Sequence, residues 1–367
     1  MSLFHHAMVL LLCGVCAGAS AEPLDEPLKP LPAAPQQDAR RVELGRRLFH
    51  EPRLSINNTL SCASCHQLDK NGADSRALSL GFDGKPVAVN TPTVFNAALN
   101  FRQFWDGRVE TLVEQSAVVI TSPHEMGSDW RTVIERIANA PDYRRDFAAT
   151  YPDGVTRANV QQALASFERT LLTPNSRFDQ YLLGNTDILT LEEKYGYQRF
   201  KEYGCIACHQ GVNIGGNMFQ KFGVMGDYFK ARGNPVESDL GRYLLTKDEE
   251  DRHVFKVPSL RNVAVTAPYF HDASAKTLED TVTQTPVLGL YRSGTRFRKA
   301  LGTLIREAAA GQARGDGFAA VLGGKPGANP RGGHEQAGRE EVRLVLNIIQ
   351  LFFRNIAALF GWQVVAQ

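Results

Sequence analysis

The chain has 367 residues, of which 43% are hydrophobic and 22% are charged, and it is long enough for two domains of ordinary size. This composition excludes a disordered, collagen-like or coiled-coil chain, and the balance of 41 basic and 39 acidic side chains excludes a protein that holds nucleic acid mainly through a basic surface. The charge is uneven, because residues 286–367 carry a net charge of +6 and residues 1–285 carry −4.

The first 21 residues have the pattern of a secretory signal peptide. They contain no Lys, Arg, Asp or Glu, are apolar from Ala7 to Val15, and end in Ala19-Ser20-Ala21, a small-x-small cleavage site. The apolar run is too short to remain as a membrane span. We therefore expect cleavage after about Ala21, export to the periplasm, and no membrane span in the mature chain.

Four cysteines remain after that cleavage, and they fall in two identical frames. Both Cys62-Ala63-Ser64-Cys65-His66 and Cys205-Ile206-Ala207-Cys208-His209 match Cys-x-x-Cys-His, the attachment motif of c-type haem. Disulfides, a zinc site and thioredoxin-type pairs are the alternatives, but none needs His directly after the second Cys. Haem does, because both thiols bond to its vinyl groups and the next His binds the iron. The sequence thus predicts two covalent c-type haems.

Helical periodicity surrounds both motifs. Residues 22–38 contain five prolines and are predicted to form an exposed lead-in without fixed structure. An amphipathic helix is predicted ahead of each motif, and Thr190 to Glu193 forms a capping box for the second one. The apolar faces of these two helices are Leu44, Leu48 and Phe49 in the first, and Tyr195, Phe200 and Tyr203 in the second.

The rest of the chain predicts a mainly α fold with long loops. Helical stripes cover residues 130–137 and 160–171, long period-2 runs are lacking, and loops rich in Gly, Asn and Pro fill 69–96 and 210–241. A boundary near residues 174–188 is predicted to separate two halves. The predicted domains are 39–180 with the first haem, 181–285 with the second, and a basic Gly- and Arg-rich tail at 286–367 with an apolar helix at about 342–360.

Five further motifs occur in order between about Arg41 and Thr281. They are Asn90-Thr91-Pro92-Thr93-Val94-Phe95-Asn96, Gln103-Phe104-Trp105-Asp106-Gly107-Arg108, Glu125-Met126-Gly127, Phe255-Lys256-Val257-Pro258-Ser259-Leu260-Arg261-Asn262, and Pro268-Tyr269-Phe270-His271-Asp272. In these motifs the chain resembles the bacterial diheme cytochrome c peroxidases and their MauG-like relatives. The resemblance implies two cytochrome c-like haem domains, with the haems and a calcium site near the domain interface.

The resemblance also implies roles for individual residues. It makes the haem at Cys62, Cys65 and His66 the peroxidatic one, and the haem at Cys205, Cys208 and His209 the one through which electrons enter. Glu125 corresponds to the distal acid/base, although by residue type alone it would be a solvated loop carboxylate. Gln115 corresponds to a distal-pocket amide and Trp105 to an indole between the haems, where residue type alone indicates an exposed helical Gln and a core Trp.

Further positions correspond to metal ligands and supporting residues of the family. The resemblance implies one calcium ion, held by Asn90, Thr266 and Pro268 through an amide oxygen and main-chain carbonyls, the oxygen ligands that calcium accepts. His271 and Lys256 are expected to have supporting roles, such as hydrogen bonds to haem propionates.

Two departures from the family pattern bear on the irons. Many members close the peroxidatic iron with a distal His, but no His occurs between His66 and His124, and Leu80-Gly81-Phe82-Asp83-Gly84 stands where it is expected. We therefore expect this iron to be open or water-bound in the oxidised protein. The distal Met of the second haem is expected at about Thr285, but no Met follows Met225. Tyr291 and His334 are the alternative ligands.

Three functional hypotheses are compatible with the sequence. The first is an exported peroxidase that reduces hydrogen peroxide with electrons from a small cytochrome c or cupredoxin, as a monomer or a homodimer. The second is a MauG-like oxidase that acts on side chains of a partner protein, and the third is a diheme electron carrier without enzymatic activity. For the tail, an amphipathic helix against the body, a partner surface and a change of reading frame remain open.

Overall fold

The computed structural model describes residues 22–223, 227–278 and 280–281. The predicted signal peptide, and the predicted tail with Tyr291, His334 and the apolar helix, lie outside the described residues. Among the described residues, no helix combines the length and the apolar character needed to cross a membrane.

The described residues form helices joined by long loops, together with one short sheet, so the expected mainly α fold is confirmed. The helices are α1 (Ala39–Phe49), α2 (Cys62–Cys65), α3 (Leu112–Thr121), α4 (Trp130–Asn139), α5 (Pro141–Thr150), α6 (Arg157–Glu168), α7 (Arg177–Leu182), α8 (Leu191–Glu202), α9 (Tyr228–Arg232) and α10 (Tyr243–Thr246). Strands β1 (Phe219–Lys221) and β2 (Val254–Lys256) pair in antiparallel fashion, with Phe219 opposite Lys256. Short 3-10 turns punctuate the loops.

Helices α1 and α6 form the centre of the first hydrophobic core. The Asp38 carboxylate accepts hydrogen bonds from two N–H groups of the first turn of α1, and the predicted apolar face of this helix is buried. Gly45 lets the two helices approach closely, because a Cβ at this position would lie 1.9 Å from the carbonyl oxygen of Ala163. The predicted stripes of α4 and α6 are also confirmed, with Val133, Ile137, Val160 and Leu164 fully buried.

The Pro-rich segment 22–38 is packed in its first part, so the prediction of an exposed, unstructured lead-in was wrong for residues 24–31, whereas residues 32–38 are mostly exposed as expected. Leu28 is 2% exposed and Leu31 is 6% exposed, and Leu28 packs with residues of α7 and α8 in a second core. The Leu24 N–H donates to the Leu182 carbonyl oxygen at 2.8 Å. Proline composition indicates an extended backbone, but here the extended chain lies along the second half and buries its leucines there.

Helix α8 has the predicted capping box, in which the Glu193 N–H donates to the Thr190 hydroxyl and the Glu193 carboxylate accepts the Thr190 N–H. Its buried face differs from the prediction at one position. Tyr195 is 41% exposed, whereas Tyr197 is buried and its hydroxyl donates to Glu26 at 2.9 Å. The face therefore follows Tyr197, Phe200 and Tyr203 at three-residue steps, and Glu26 of the lead-in completes it.

Buried polar side chains join the two halves. The Asn96 amide nitrogen donates to the Thr173 hydroxyl at 2.9 Å, and the Thr173 N–H donates back to the Asn96 amide oxygen at 2.9 Å. From the second half, the Asn262 amide donates to the same hydroxyl at 3.2 Å, and the Asn213 amide donates to the Asn96 carbonyl oxygen at 3.3 Å. Helix α7 spans the expected boundary at residue 180 and packs into the second core through Phe178 and Leu182.

Candidate functional site

The first Cys-x-x-Cys-His motif forms one helical turn with its histidine at the end. Cys62 and Cys65 are the first and last residues of α2, so their spacing puts both thiols on the same side of the turn. His66 Nδ1 lies 3.1 Å from the Gly72 carbonyl oxygen, which favours the tautomer that carries its proton on Nδ1 and leaves Nε2 free as a ligand. Burial lowers the pKa of His66 and so favours the neutral imidazole that binds metals.

The second motif repeats this arrangement. Cys205 begins a 3-10 turn, and His209 Nδ1 lies 3.3 Å from the Ile214 carbonyl oxygen. Burial lowers the pKa of His209 to about 4. Gly215, with φ of +123°, closes the loop against the chain at Pro258, because a Cβ there would lie 2.2 Å from the Pro258 carbonyl oxygen and 3.2 Å from His209 Nδ1.

The four thiols fit covalent haem better than the alternatives. All four are free and half-buried, so they do not form the two disulfides. Burial raises the pKa of Cys62 and raises that of Cys205 to about 11, which opposes the reactive thiolates of thioredoxin-type pairs. A zinc site has no need of a His directly after each second Cys. A thiol pair on one turn, followed by a neutral histidine with a free Nε2, is the donor set of a c-type haem.

Glu125 lies in the turn that follows α3, beside the first motif. Its N–H donates to the Ser122 carbonyl oxygen at 3.2 Å, and the Gly127 N–H donates to the same oxygen at 2.8 Å. Burial raises the pKa of the Glu125 carboxyl, against the lowering effects of the Ser122 hydroxyl and the Arg108 charge. The Glu125 charge in turn helps to raise the pKa of Cys65. A half-buried carboxyl whose pKa is raised by burial can both accept and deliver a proton.

The other two predicted catalytic residues lie in different settings. Gln115 is half-buried in the middle of α3. Trp105 connects the two halves, because its indole N–H donates to the Asn90 carbonyl oxygen at 2.8 Å and its carbonyl oxygen accepts the Lys256 N–H at 2.8 Å. Its ring packs against an aromatic cluster that contains Phe255.

Asn90, one of the predicted calcium residues, is hydrogen-bonded to the segment that carries the other two. Asn90 is buried, and its N–H donates to the His271 carbonyl oxygen at 2.7 Å, which brings it to the segment that contains Thr266 and Pro268. The Asn90 amide nitrogen donates to the carbonyl oxygens of Arg76 and Ala77. An amide oxygen and main-chain carbonyls are suitable calcium ligands, so the residues present fit this ion.

A buried ionic network that the sequence analysis missed surrounds His271. His271 Nε2 lies 2.8 Å from an Asp239 carboxylate oxygen, and Arg232 forms ion pairs with both Asp239 and Asp272. The donor atoms of His271 and the two aspartates lie close enough together for one metal ion, but Arg232 already supplies the cation. His271 and Asp272 belong to the fifth motif, but Arg232 and Asp239 lie outside every motif, so only the folded chain reveals the network.

Lys256 on β2 is a buried residue whose ammonium forms no ion pair with any described carboxylate. The side chain is 9% exposed, and among the described residues its ammonium has no hydrogen-bond or ion-pair partner. Burial lowers the pKa of Lys256 to about 8. Since a buried charge is costly unless it is paired, this site fits an anionic group that is not part of the protein, such as a haem propionate.

Comparisons with known proteins agree with this donor set. The family model of di-haem cytochrome c peroxidase matches residues 39–187. The chain is 43% identical over 259 residues to the cytochrome c peroxidase Ccp of Escherichia coli, an alignment that covers 70% of the chain but only 55% of that relative, so the chain spans about half of its length. It is 42% identical over 291 residues to the cytochrome c551 peroxidase of Nitrosomonas europaea, covering 79% of the chain and 85% of the relative.

Solved structures support the fold. The chain superposes on a crystal structure of a MauG-like protein associated with microbial copper homeostasis with a TM-score of 0.66 and 27% identity, covering 76% of the chain and 93% of that structure. The identity to this MauG-like protein is lower than the identity to the two peroxidases.

Proposed function

The chain belongs to the di-haem cytochrome c peroxidase family, and we propose that it is an exported enzyme that reduces hydrogen peroxide to water with two electrons from a small cytochrome c or cupredoxin. The observation that carries this proposal is the half-buried Glu125 carboxyl with its raised pKa beside the first Cys-x-x-Cys-His motif. A pure electron carrier has no need of such a group at that place.

The two motifs hold the haems in this proposal. Cys62 and Cys65 would hold the first haem through thioether bonds and His66 Nε2 would bind its iron, while Cys205, Cys208 and His209 would do the same for the second. When bound, the first haem supplies the iron that takes peroxide, and the second receives electrons from the donor. The carbonyl groups of Gly72 and Ile214 keep both imidazoles oriented.

Glu125 moves the proton in this proposal. Reduction of peroxide to water requires a proton to leave the near oxygen and reach the far oxygen, which then departs as water. The Glu125 carboxylate accepts the first proton and the resulting acid delivers it. The Ser122 hydroxyl and the Arg108 charge keep the ionised form accessible, and the Gln115 amide is assigned to the same pocket.

The junction of the halves is proposed to carry the second electron and the calcium ion. Trp105 lies on a path from the second half to the first through its contacts with Lys256 and Asn90. Asn90, Thr266 and Pro268 would hold calcium and fix this junction. The proposed domains are residues 39–180 and 181–285. The proposed location is the periplasm, after cleavage of the signal peptide near Ala21. A homodimer is compatible with this arrangement.

The deciding experiment is an assay of the purified holoprotein with hydrogen peroxide and a reduced small cytochrome c. Peroxide-dependent oxidation of two donor molecules per peroxide is expected.

A MauG-like oxidase is the second candidate, favoured by the lack of any His between His66 and His124 and of any Met after Met225. Slow turnover with small donors, together with fast oxidation of side chains on a partner protein, would favour that candidate instead.

The resting spectrum is predicted to show an open first iron. Because the segment between His66 and His124 offers no imidazole, the oxidised holoprotein should contain one high-spin or water-bound haem at neutral pH, and it should react with peroxide without prior reduction. Electron paramagnetic resonance and optical spectra before and after addition of peroxide measure this. Two low-spin, six-coordinate ferric haems would contradict the prediction.

Lys256→Met is predicted to lower the reduction potential of the haem whose propionate Lys256 meets. Reduction removes one positive charge from the iron, so a buried cation close by favours the reduced state, and its loss disfavours it. Lys256→Arg retains the charge and is the matched control. Potentiometric titration of both variants measures the effect. Identical potentials for Lys256→Met and the unmodified protein would rule out a propionate partner.

A further inference from the structure

The segment that replaces the expected distal histidine lies against the turn that carries Glu125. The Phe82 N–H donates to the Glu125 carbonyl oxygen at 2.8 Å. Gly81 lies directly against His124 in the same turn, because a Cβ on Gly81 would lie 2.1 Å from the His124 carbonyl oxygen. The Phe82 ring covers Gly127, where a Cβ would lie 2.4 Å from a ring carbon. Contacts at His124, Glu125 and Gly127 thus join the turn to a segment that lies more than forty positions earlier in the chain.

Residues 81 and 82 are themselves held in place. The Gly81 N–H donates to the Lys85 carbonyl oxygen at 2.8 Å, closing a tight turn. The Asn57 amide nitrogen donates to the Phe82 carbonyl oxygen at 2.9 Å. Phe82 therefore connects the loop ahead of the first motif, where Asn57 lies, to the turn of Glu125. We name the pair Gly81 and Phe82 the strap.

The strap supplies one of the two main-chain hydrogen bonds of Glu125, in a turn that is also fixed at Met126 and Gly127. Met126 is fixed on its other side, because its carbonyl oxygen accepts the Ile56 N–H at 2.9 Å and its side chain is buried. Glu125 itself makes two main-chain hydrogen bonds: its N–H donates to the Ser122 carbonyl oxygen, and its carbonyl oxygen accepts the Phe82 N–H. Loss of the strap would leave Glu125 with the bond to Ser122 as its remaining main-chain hydrogen bond within the described chain and would loosen the peptide that carries the carboxyl.

We propose that Gly81 and Phe82 are positioning residues that hold Glu125 in its half-buried place beside the first motif. This inference rests on the proposed function, in which Glu125 moves the proton between peroxide oxygens. A segment that supplies no iron ligand thereby acquires a different role: it keeps the acid/base in position in the resting protein. Positioning of this kind matters because a displacement of about 1 Å at a reacting group can cost about 100-fold in rate.

Gly81→Ala is the variant that separates the strap from the turn. Its Cβ would meet a main-chain oxygen, which no side-chain rotation can relieve. Gly84→Asn is the matched control in the same turn, because Gly84 has φ of +76° and open space around its Cβ position, and Asn tolerates the left-handed conformation. We expect Gly81→Ala to lower kcat by about 10- to 100-fold with haem content unchanged, and Gly84→Asn to retain the activity.

Two readouts distinguish positioning from general damage. In the holoenzyme, the acidic limb of the pH profile of kcat should move to lower pH in Gly81→Ala, because Glu125 leaves the buried place that raises its pKa. The groups that face Glu125 there are Arg108, His124 and Cys65, and the Asp83–Lys85 ion pair lies on the strap side. In a Glu125→Gln background, adding Gly81→Ala should change the rate by less than about threefold, because the strap acts through Glu125. A merely structural lesion would lower the rate equally in both backgrounds.

The outcomes separate this inference from the proposed function. If the unmodified holoenzyme does not reduce peroxide, the proposed function fails. If Glu125→Gln loses activity while Gly81→Ala keeps the kcat and pH profile of the unmodified protein, the strap inference alone is overturned. Phe82→Leu, which keeps the N–H bond but removes the ring from Gly127, provides a second variant should Gly81→Ala fold poorly. Phe82→Leu is also expected to move the acidic limb of the pH profile to lower pH, and an unchanged profile would overturn the inference as well.

Discussion

Replacing Glu125 with Gln is expected to lower the rate of peroxide reduction by about 10²- to 10⁴-fold while both haems remain attached. The amide has nearly the same shape as the carboxyl but cannot take a proton from one peroxide oxygen and deliver it to the other. Binding of the haem should be unaffected, because its predicted links are Cys62, Cys65 and His66. Stopped-flow reaction of the holoenzyme with peroxide, followed at the haem absorption bands, measures the step directly.

The pH dependence gives this prediction a second, independent check. Burial raises the pKa of Glu125, so the carboxylate that must accept the proton is lost at a higher pH than for a solvated carboxyl. The rate of the unmodified enzyme should therefore fall as the pH is lowered through this raised pKa, and Glu125→Gln should lack this limb of the profile. Glu135→Gln, on the exposed side of α4, is the control and should behave as the unmodified enzyme. Equal rates for Glu125→Gln and the control would remove Glu125 from the mechanism.

Local chemistry explains which features could be predicted from the sequence. The cap at Thr190 and the apolar face of α1 are set by residues within a few positions of each other, and these two predictions agree with the folded chain. The family resemblance was likewise confirmed by the family model and by relatives at 42–43% identity.

Contacts between distant segments explain what was missed. The Pro-rich lead-in was expected to be exposed because its composition is typical of linkers, yet Leu28 finds a partner surface on α7 and α8. The contact of Phe82 with Glu125 joins segments that no periodicity connects, and Leu80-Gly81-Phe82-Asp83-Gly84 was identified only by the ligand it does not contain. The ion pairs of Arg232 have the same origin, since their value depends on burial that sequence spacing does not encode.

The largest effect on stability is expected from Arg261→Met, which should lower the free energy of unfolding by about 3–5 kcal/mol. Arg261 and Asp179 form an ion pair at 2.7 Å with side chains only 2% and 1% exposed. The same guanidinium donates to the Lys29 carbonyl oxygen at 2.9 Å, and Asp179 accepts the Leu31 N–H at 2.9 Å. Methionine fills the volume but leaves the Asp179 carboxylate buried without its cation, so the cost is that of an uncompensated charge.

The position of this pair predicts where the damage begins. Arg261 and Asp179 together bind the backbone of the lead-in, so their separation should release residues 22–38 before the rest of the chain unfolds. Chemical denaturation of the holoprotein measures the loss of stability, and limited proteolysis with mass spectrometry locates the first cleavage. Arg145→Gln, which breaks the exposed pair with Asp146, is the control and should have a far smaller effect. If Arg261→Met were as stable as this control, the ion pair would not be what fixes the lead-in, and the buried leucines would have to hold it alone.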